Sequence, residues 1–238
     1  MILKGIPASA GIVTGKAFLY DARRIMVPVR KISRRLISRE IVRFEEALIK
    51  TRAEILEIQK KITKEMGSHH AEIFNAHLLV LEDRMLIEEV IGGLKKERKC
   101  VEHIFSKVLN KYIDVFSKMD DEYLRERISD IDDVGKRLLK NLLGTEETSL
   151  SELKQKVIVV AYDLSPSDTA TMHKRHVTGF ITDIGGRTSH TAIMAKSLEI
   201  PAVVGLQKAT SKIKAGDVLI VDGNEGIVII NPDKTILK

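Results

Sequence analysis

The sequence predicts a discontinuous α/β domain that carries an inserted all-α helical bundle, and three observations point to it. Apolar residues recur at helical spacing through residues 33–143. From Leu153 onward, short β-rich runs alternate with short helical stretches. The opening run GIVTGKAFLY (11–20) reads as a strand, yet its sequence neighbours are helical and give it nothing to pair with. It is therefore expected to cross back to the C-terminal unit, placing residues 1–22 and 145–238 in one α/β domain and 33–143 in a helical one.

In chain order, the first helix rests on Ile37, Ile41, Phe44, Leu48, Thr51, Ile55, Ile58 and Ile62, which alternate spacings of four and three with one polar member. Such a seam needs a helical partner. A second helical pattern covers about 70–94, a third runs over about 101–119 through Val108, Tyr112 and Val115, and a fourth over 122–143. Asp120 or Asp121 would cap the start of the fourth, and Gly144 sits where a left-handed residue would end it. Short connections between these patterns describe an antiparallel bundle. Strands are then expected at VIVVAY (157–162), VTGFIT (177–182), PAVVG (201–205) and DVLIVD (217–222). The last turns through Asp222-Gly223-Asn224-Glu225-Gly226 into IVIIN as a hairpin.

With 44% hydrophobic and 30% charged residues, the 238-residue chain is neither disordered nor fibrous. No apolar run reaches the roughly 18 residues of a membrane span, and the N-terminus does not read as a signal peptide. The single Cys100 excludes an intrachain disulfide. A cytoplasmic protein with no membrane partner is expected. The net charge of +6 comes mostly from residues 21–50, which hold nine Lys/Arg against four Asp/Glu. That reads as a basic connector running into a solvated helix face. A non-catalytic nucleic-acid module is the alternative of another class, but the chain has no Trp and only 4% aromatic residues to stack on bases.

Chemistry concentrates in ITDIGGRTSHTAIMAK (181–196). A strand ends near Thr182, two glycines follow, and a helix begins at about Thr188 or Ser189. Gly185 and Gly186 lack side-chain bulk and allow positive φ, so backbone N–H groups can approach an anion. The helix start adds unsatisfied donors, and Arg187 adds a planar cation suited to phosphoryl oxygens. With Thr188 and Ser189, these residues form a phosphate cradle. His190 then supplies a nucleophile: an imidazole with an ordinary pKa of about 6.5 keeps a lone pair at neutral pH and can accept a phosphoryl group covalently.

Rival readings fit less well. Ser189 lacks a Gly-x-Ser-x-Gly context, so Ser189 and His190 do not make a hydrolase pair. His69, His70, His77 and Glu72 cluster, but no His-Glu-x-x-His spacing appears, and His77 shares the face of Ile73 and Val80, which favours a packed histidine. No Walker A sequence exists.

The run GGRTSHTAIMAKSLEIPAVVG (185–205) resembles the phosphohistidine signature of the phosphoenolpyruvate-utilising enzymes, above all the enzyme I branch of the bacterial phosphotransferase system. GIPASAGIVTGKAF (5–18), HLLVLED (77–83), DDEYLRERISDIDDVGKRLL (120–139) and DLSPSDTA (163–170) resemble further segments of that family, in its order. The resemblance implies an α/β phosphohistidine (swivelling) domain, phosphorylation of His190 on Nε2, and transfer to the phosphocarrier HPr, which is phosphoenolpyruvate-protein phosphotransferase activity. It implies that Thr169 orients His190 and Arg187 meets the phosphoryl charge. The helical domain becomes the HPr-docking site, with Glu72, His77, Glu82, Asp83 and Arg127 facing the partner. No cofactor or metal is expected in this chain. Phosphoenolpyruvate and Mg2+ are expected in a further C-terminal domain, and the full-length enzyme is expected to be a homodimer. The runner-up within this chemistry is the corresponding domain of a pyruvate, phosphate dikinase or phosphoenolpyruvate synthase, which would need a nucleotide-grasp domain ahead of the histidine.

Overall fold

A computed structural model of the chain describes residues 1–20, 25–120, 122–144, 150, 153–172, 175–187 and 189–233; the side chains of residues 65, 66, 122–127 and 171 are not described. The chain folds as two units, Ile25–Glu147 and Met1–Arg24 with Thr148–Lys238.

Helix α1 (Ile37–Met66) of the first unit buries Phe44, Ile55, Ile58 and Ile62 of the seam read from the sequence, with Ala47 beside them. Its polar member Thr51 is also buried, because its hydroxyl donates to Ala47 O at 2.7 Å and accepts from Asn141 Nδ2 at 3.0 Å. The single pattern expected over 70–94 is three helices: α2 (Ser68–Ala71), α3 (Ile73–Leu81) and α4 (Arg84–Glu97). The main break lies at Asp83, which is extended and accepts from Leu86 N at 2.9 Å, capping α4. The buried leucines Leu81 and Leu86 are five apart, a slip of phase that one continuous helix would not show. Helix α5 (Val101–Ser117) buries its N-terminal half only, and Val115, expected on its seam, is exposed. Helix α6 (Glu122–Leu143) packs closely on α5 at Gly135, where a Cβ would stand 2.3 Å from Leu109 Cδ2. The cap expected before α6 falls on residue 121, outside the described residues. Gly144 takes the left-handed φ of +62° expected at the helix end.

Residues 30–32 of the basic connector are pinned ahead of α1. Ile32 N donates to Arg98 O and Cys100 N to Arg30 O, both at 2.9 Å, as a one-rung antiparallel bridge between Lys31 and Lys99.

In the second unit the strands are β1 (Ile2–Lys4), β2 (Ile6–Ser9), β3 (Ile12–Tyr20), β4 (Val157–Ala161), β5 (Val177–Thr182), β6 (Ala202–Val204), β7 (Val218–Asp222) and β8 (Ile227–Ile230). Their order is β1-β8-β7-β3-β4-β5-β6-β2. The run 12–20 does cross back: β3 lies parallel to β4 and antiparallel to β7. β1 and β2 were not anticipated, because Gly5, Pro7, Ala8 and Ser9 are poor strand formers. Separated by Gly5 alone, they pair with opposite ends of the sheet, so the opening run wraps the sheet round its core and covers both edges. The kink needs glycine, since a Cβ there would lie 2.7 Å from Val204 O. Ile158, Val160, Ile181, Val203, Leu219 and Val228 fill the interior. Outside the strands lie the helices α7 (Pro166–Thr171), α8 (His190–Leu198) and α9 (Ala209–Lys212).

Candidate functional site

The site is built where β4 and β5 end. Past the strands, Asp183 N still donates to Ala161 O at 3.1 Å and Ile184 N to Tyr162 O at 3.0 Å, so the chain leaves the sheet under control. The Asp183 carboxylate, 2% exposed, accepts from Ala209 N, Thr210 N and Thr210 Oγ1 and thereby caps α9. It anchors the glycine loop, a role the sequence reading missed; the available signal was an acid wedged between a strand and two glycines. Gly185 has φ +112°, which L side chains rarely adopt, and a Cβ there would press on Ser189 Oγ at 3.3 Å. Around Gly186 the space is open, as an approaching anion requires.

Ser189 is the N-cap of α8. Its Oγ accepts from Ala192 N at 3.3 Å and donates to Gly186 O at 2.8 Å, tying the helix start to the loop. His190 is the first helical residue and is partly buried. Its Nε2 stands 3.4 Å from Thr169 Oγ1. Thr169 is 1% exposed, and the same oxygen lies 3.1 Å from Ser165 O and 3.0 Å from Pro166 O. A hydroxyl has one proton, so when a carbonyl takes it the oxygen accepts from Nε2–H. At 3.4 Å the contact is at the long end of hydrogen bonding, and it is easily exchanged for another partner.

Thr169 sits on α7, whose first turn is closed by a capping box between Ser165 and Asp168. Tyr20 Oη donates to Asp168 Oδ1 at 2.6 Å. Thr191 Oγ1 donates to Leu164 O at 3.1 Å and ties the start of α8 to the approach to α7. The structure thus gathers Gly185, Ser189, His190 and Thr169 on three adjoining segments. Arg187 is exposed on the loop, and Thr188 lies outside the described residues. A half-buried imidazole at a helix start, with a hydroxyl on Nε2 and a glycine loop beside it, is suited to accept and release a phosphoryl group.

Of the residues expected to face a partner, Glu72 and Glu82 are exposed, the latter paired with Arg52 at 3.1 Å. Asp83 spends one oxygen on the α4 cap. His77 corrects the expectation. It is 0% exposed, with Nε2 3.5 Å from Asp130 Oδ1 and Nδ1 3.9 Å from Asp133 Oδ2, so it is packed inside the bundle and off the surface. The Arg127 side chain is outside the described set. Among the described residues, no group of three or more His, Cys, Asp or Glu could hold a metal ion. Nor is any helix of the described residues long and apolar enough to cross a membrane.

Comparison with known proteins bears on both units. The family model described as PEP-utilising enzyme, N-terminal, matches residues 4–127, and that described as PEP-utilising enzyme, mobile domain, matches residues 153–226, which include His190. The phosphoenolpyruvate-protein phosphotransferase of Bacillus sp. (strain S) is 43% identical over 235 residues, which are 99% of this chain and 40% of that protein. That of Bacillus subtilis (strain 168) is 44% identical over 236 residues, 99% of this chain and 41% of that protein. The chain therefore spans about two fifths of the length of these curated relatives. A solved structure described as Enzyme I (nEIt) is 52% identical with a TM-score of 0.79, covering 98% of this chain and 94% of that one. The N-terminal domain of Enzyme 1 - Nitrogen is 25% identical with a TM-score of 0.67, covering 99% and 96%. From the two family models and a near-complete structural match at half identity, the chain belongs to the PEP-utilising enzyme family and corresponds to the N-terminal region of enzyme I.

Proposed function

We propose that this chain is the phosphohistidine-bearing part of a phosphoenolpyruvate-protein phosphotransferase acting in the cytoplasmic sugar phosphotransferase system. The observation that carries the reading is the approach of Thr169 Oγ1 to Nε2 of His190, 3.4 Å apart, beside the Gly185-Gly186-Arg187 loop. In the tautomer that carries the ring proton on Nδ1, the lone pair of Nε2 attacks phosphorus. A P–N bond forms as the donor's P–O bond breaks, and the electron pair goes to the departing enol oxygen. In the second half, an imidazole nitrogen of HPr attacks the same phosphorus and the pair returns to His190. Arg187 and the backbone N–H groups of the glycine loop balance charge on the equatorial oxygens. Phosphoenolpyruvate and Mg2+ belong to a C-terminal domain, for which the greater length of the relatives leaves room. The full-length enzyme acts as a homodimer.

The α/β domain, 1–22 with 145–238, carries the phosphohistidine, and the helical domain, 33–143, docks HPr. Glu72, Glu82 and Asp83 offer negative charge on α2–α4, and exposed Leu79 and Met85 offer apolar contact on the same stretch. The test is to mix the chain with phosphorylated HPr from its own organism and follow phosphate by intact mass. The wild type takes up acid-labile phosphate, and His190→Ala takes up none while keeping its fold. Uptake by His190→Ala at the wild-type level would sink the assignment.

A further inference from the structure

The hydroxyl that meets His190 is carried by α7, a helix of only six residues, and a helix that short does not hold itself together. Its first turn is what fixes it. Ser165 Oγ accepts from Asp168 N at 3.1 Å, and Asp168 Oδ2 accepts from Ser165 N at 3.0 Å. The remaining oxygen of that carboxylate, Oδ1, accepts from Tyr20 Oη at 2.6 Å, within the short range of charge-assisted bonds. Tyr20 ends β3, a strand paired on both sides, and its cross-strand partner is Ala161. The Ala161 carbonyl in turn accepts from Asp183 N at 3.1 Å. Two residues at the same level of adjacent strands thus hold the two walls of the site: Ala161 the glycine loop, and Tyr20 the threonine helix.

We propose that Tyr20 is a positioning residue for His190, acting through the Asp168 carboxylate and α7 to set where the Thr169 hydroxyl meets the imidazole. The amide and the hydroxyl of Thr169 are both tied to the first turn of α7. Thr169 N donates to Ser165 O at 3.0 Å, and Thr169 Oγ1 lies 3.1 Å from the same carbonyl. A drift of Ser165 therefore moves the hydroxyl with it. Since Oγ1 and Nε2 are already 3.4 Å apart, a few tenths of an ångström decide whether they interact. Without the phenol, Oδ1 loses that short bond, the capping box loosens, and the imidazole loses its fixed orientation and tautomer.

The inference rests on the phosphohistidine reading for its rate measurement, but not for its spectroscopic one. The experiment compares wild type, Tyr20→Phe, Thr169→Ala and the double variant of the full chain. It records the imidazole 15N shifts of His190 and the rate of phosphate uptake from phosphorylated HPr. Tyr20→Phe is expected to keep the amide spectrum away from β3, α7 and α8. It moves the His190 nitrogen shifts in the same direction as Thr169→Ala and slows uptake roughly three- to tenfold, the cost of imperfect orientation, with HPr affinity unchanged. The double variant is no slower than Thr169→Ala alone, because both changes break one chain of contacts. Wild-type shifts in Tyr20→Phe, or rate effects that multiply, overturn the proposal. If Tyr20→Phe does not fold, Asp168→Asn takes its place: it keeps one acceptor oxygen where two are needed and must show the same displacement. If the wild type takes up no phosphate, the functional reading falls while the nitrogen shifts still decide the positioning role.

Discussion

The two units bury polarity in opposite ways. Around His190 the buried polar groups are hydroxyls, peptide groups and an acid that caps a helix, each bonded to backbone within its own neighbourhood. The helical unit instead buries charge against charge. Arg43 donates to Glu40 at 2.8 Å and to Glu102 at 2.6 Å, and Glu102 is 2% exposed. Burial pushes the Glu102 carboxyl up, but the hydrogen bond and charge of Arg43 outweigh it and hold the group below the usual carboxylate range. Arg43 is likewise held above the ordinary guanidinium value against the effect of its burial. A charge network holds long helices in one arrangement, but it fails as a whole when one member is lost.

Removing Arg43 breaks this comparison most sharply. Arg43→Ala takes the nearest cation from Glu40 of α1 and Glu102 of α5, leaving Glu102 to the more distant Arg30 at 3.6 Å and Glu40 to the Val101 amide at 2.8 Å, and costs the helical unit about 3 kcal/mol. Urea denaturation combined with amide exchange should show α1 and α5 loosening while the sheet amides keep their protection. Asp183→Ala is the converse test. It strands Ala209 N, Thr210 N and the Thr210 hydroxyl, costs about 2 kcal/mol, and lowers phosphate uptake because the glycine loop loses its anchor. The helical amides should be unaffected.

Acid sharpens the contrast without mutation. Because the folded Glu102 carboxyl is depressed, the unfolded chain takes up protons first as pH falls. The stability Glu102 contributes is complete above the unfolded carboxylate value of about 4.3 and is lost as pH drops below it. Exchange protection in α1 and α5 should fall in that window before protection in the sheet does, and Glu102→Gln should remove the difference. The smallest effect is expected at Asp83. Asp83→Ala removes the α4 cap for about 1 kcal/mol, seen as faster exchange in the first turn of α4 alone.

Legibility followed the range of the interaction. The long seam of α1 and the strands at 157–161, 177–182 and 218–222 were readable because side chains report their own face at spacings of 3.6 and 2. Gly185, Ser189 and His190 were readable as one cluster because they are close together on one loop and helix start, within six residues. The division of 70–94 was missed although the five-residue step from Leu81 to Leu86 marks it. β1 and β2 were missed because their residues favour strands only once β8 and β6 are there to pair. His77 was readable as a packed residue from Ile73 and Val80, yet the family likeness drew it to the surface; its burial between Asp130 and Asp133 reverses that.

By itself, the sequence determined the alternation of helix and strand and the loop that brings Gly185, Gly186 and His190 together, because these depend on residues within a turn or two of one another. Only the tertiary structure decided what stands around that histidine. Tyr20, Thr169 and Asp183 come from three separate segments, and their hydroxyls and carboxylate acquire a role only when the ends of β3, β4 and β5 stand side by side. No periodicity announces such a meeting, since a hydrogen bond spanning 148 residues depends on distance in space and leaves no spacing rule in the chain.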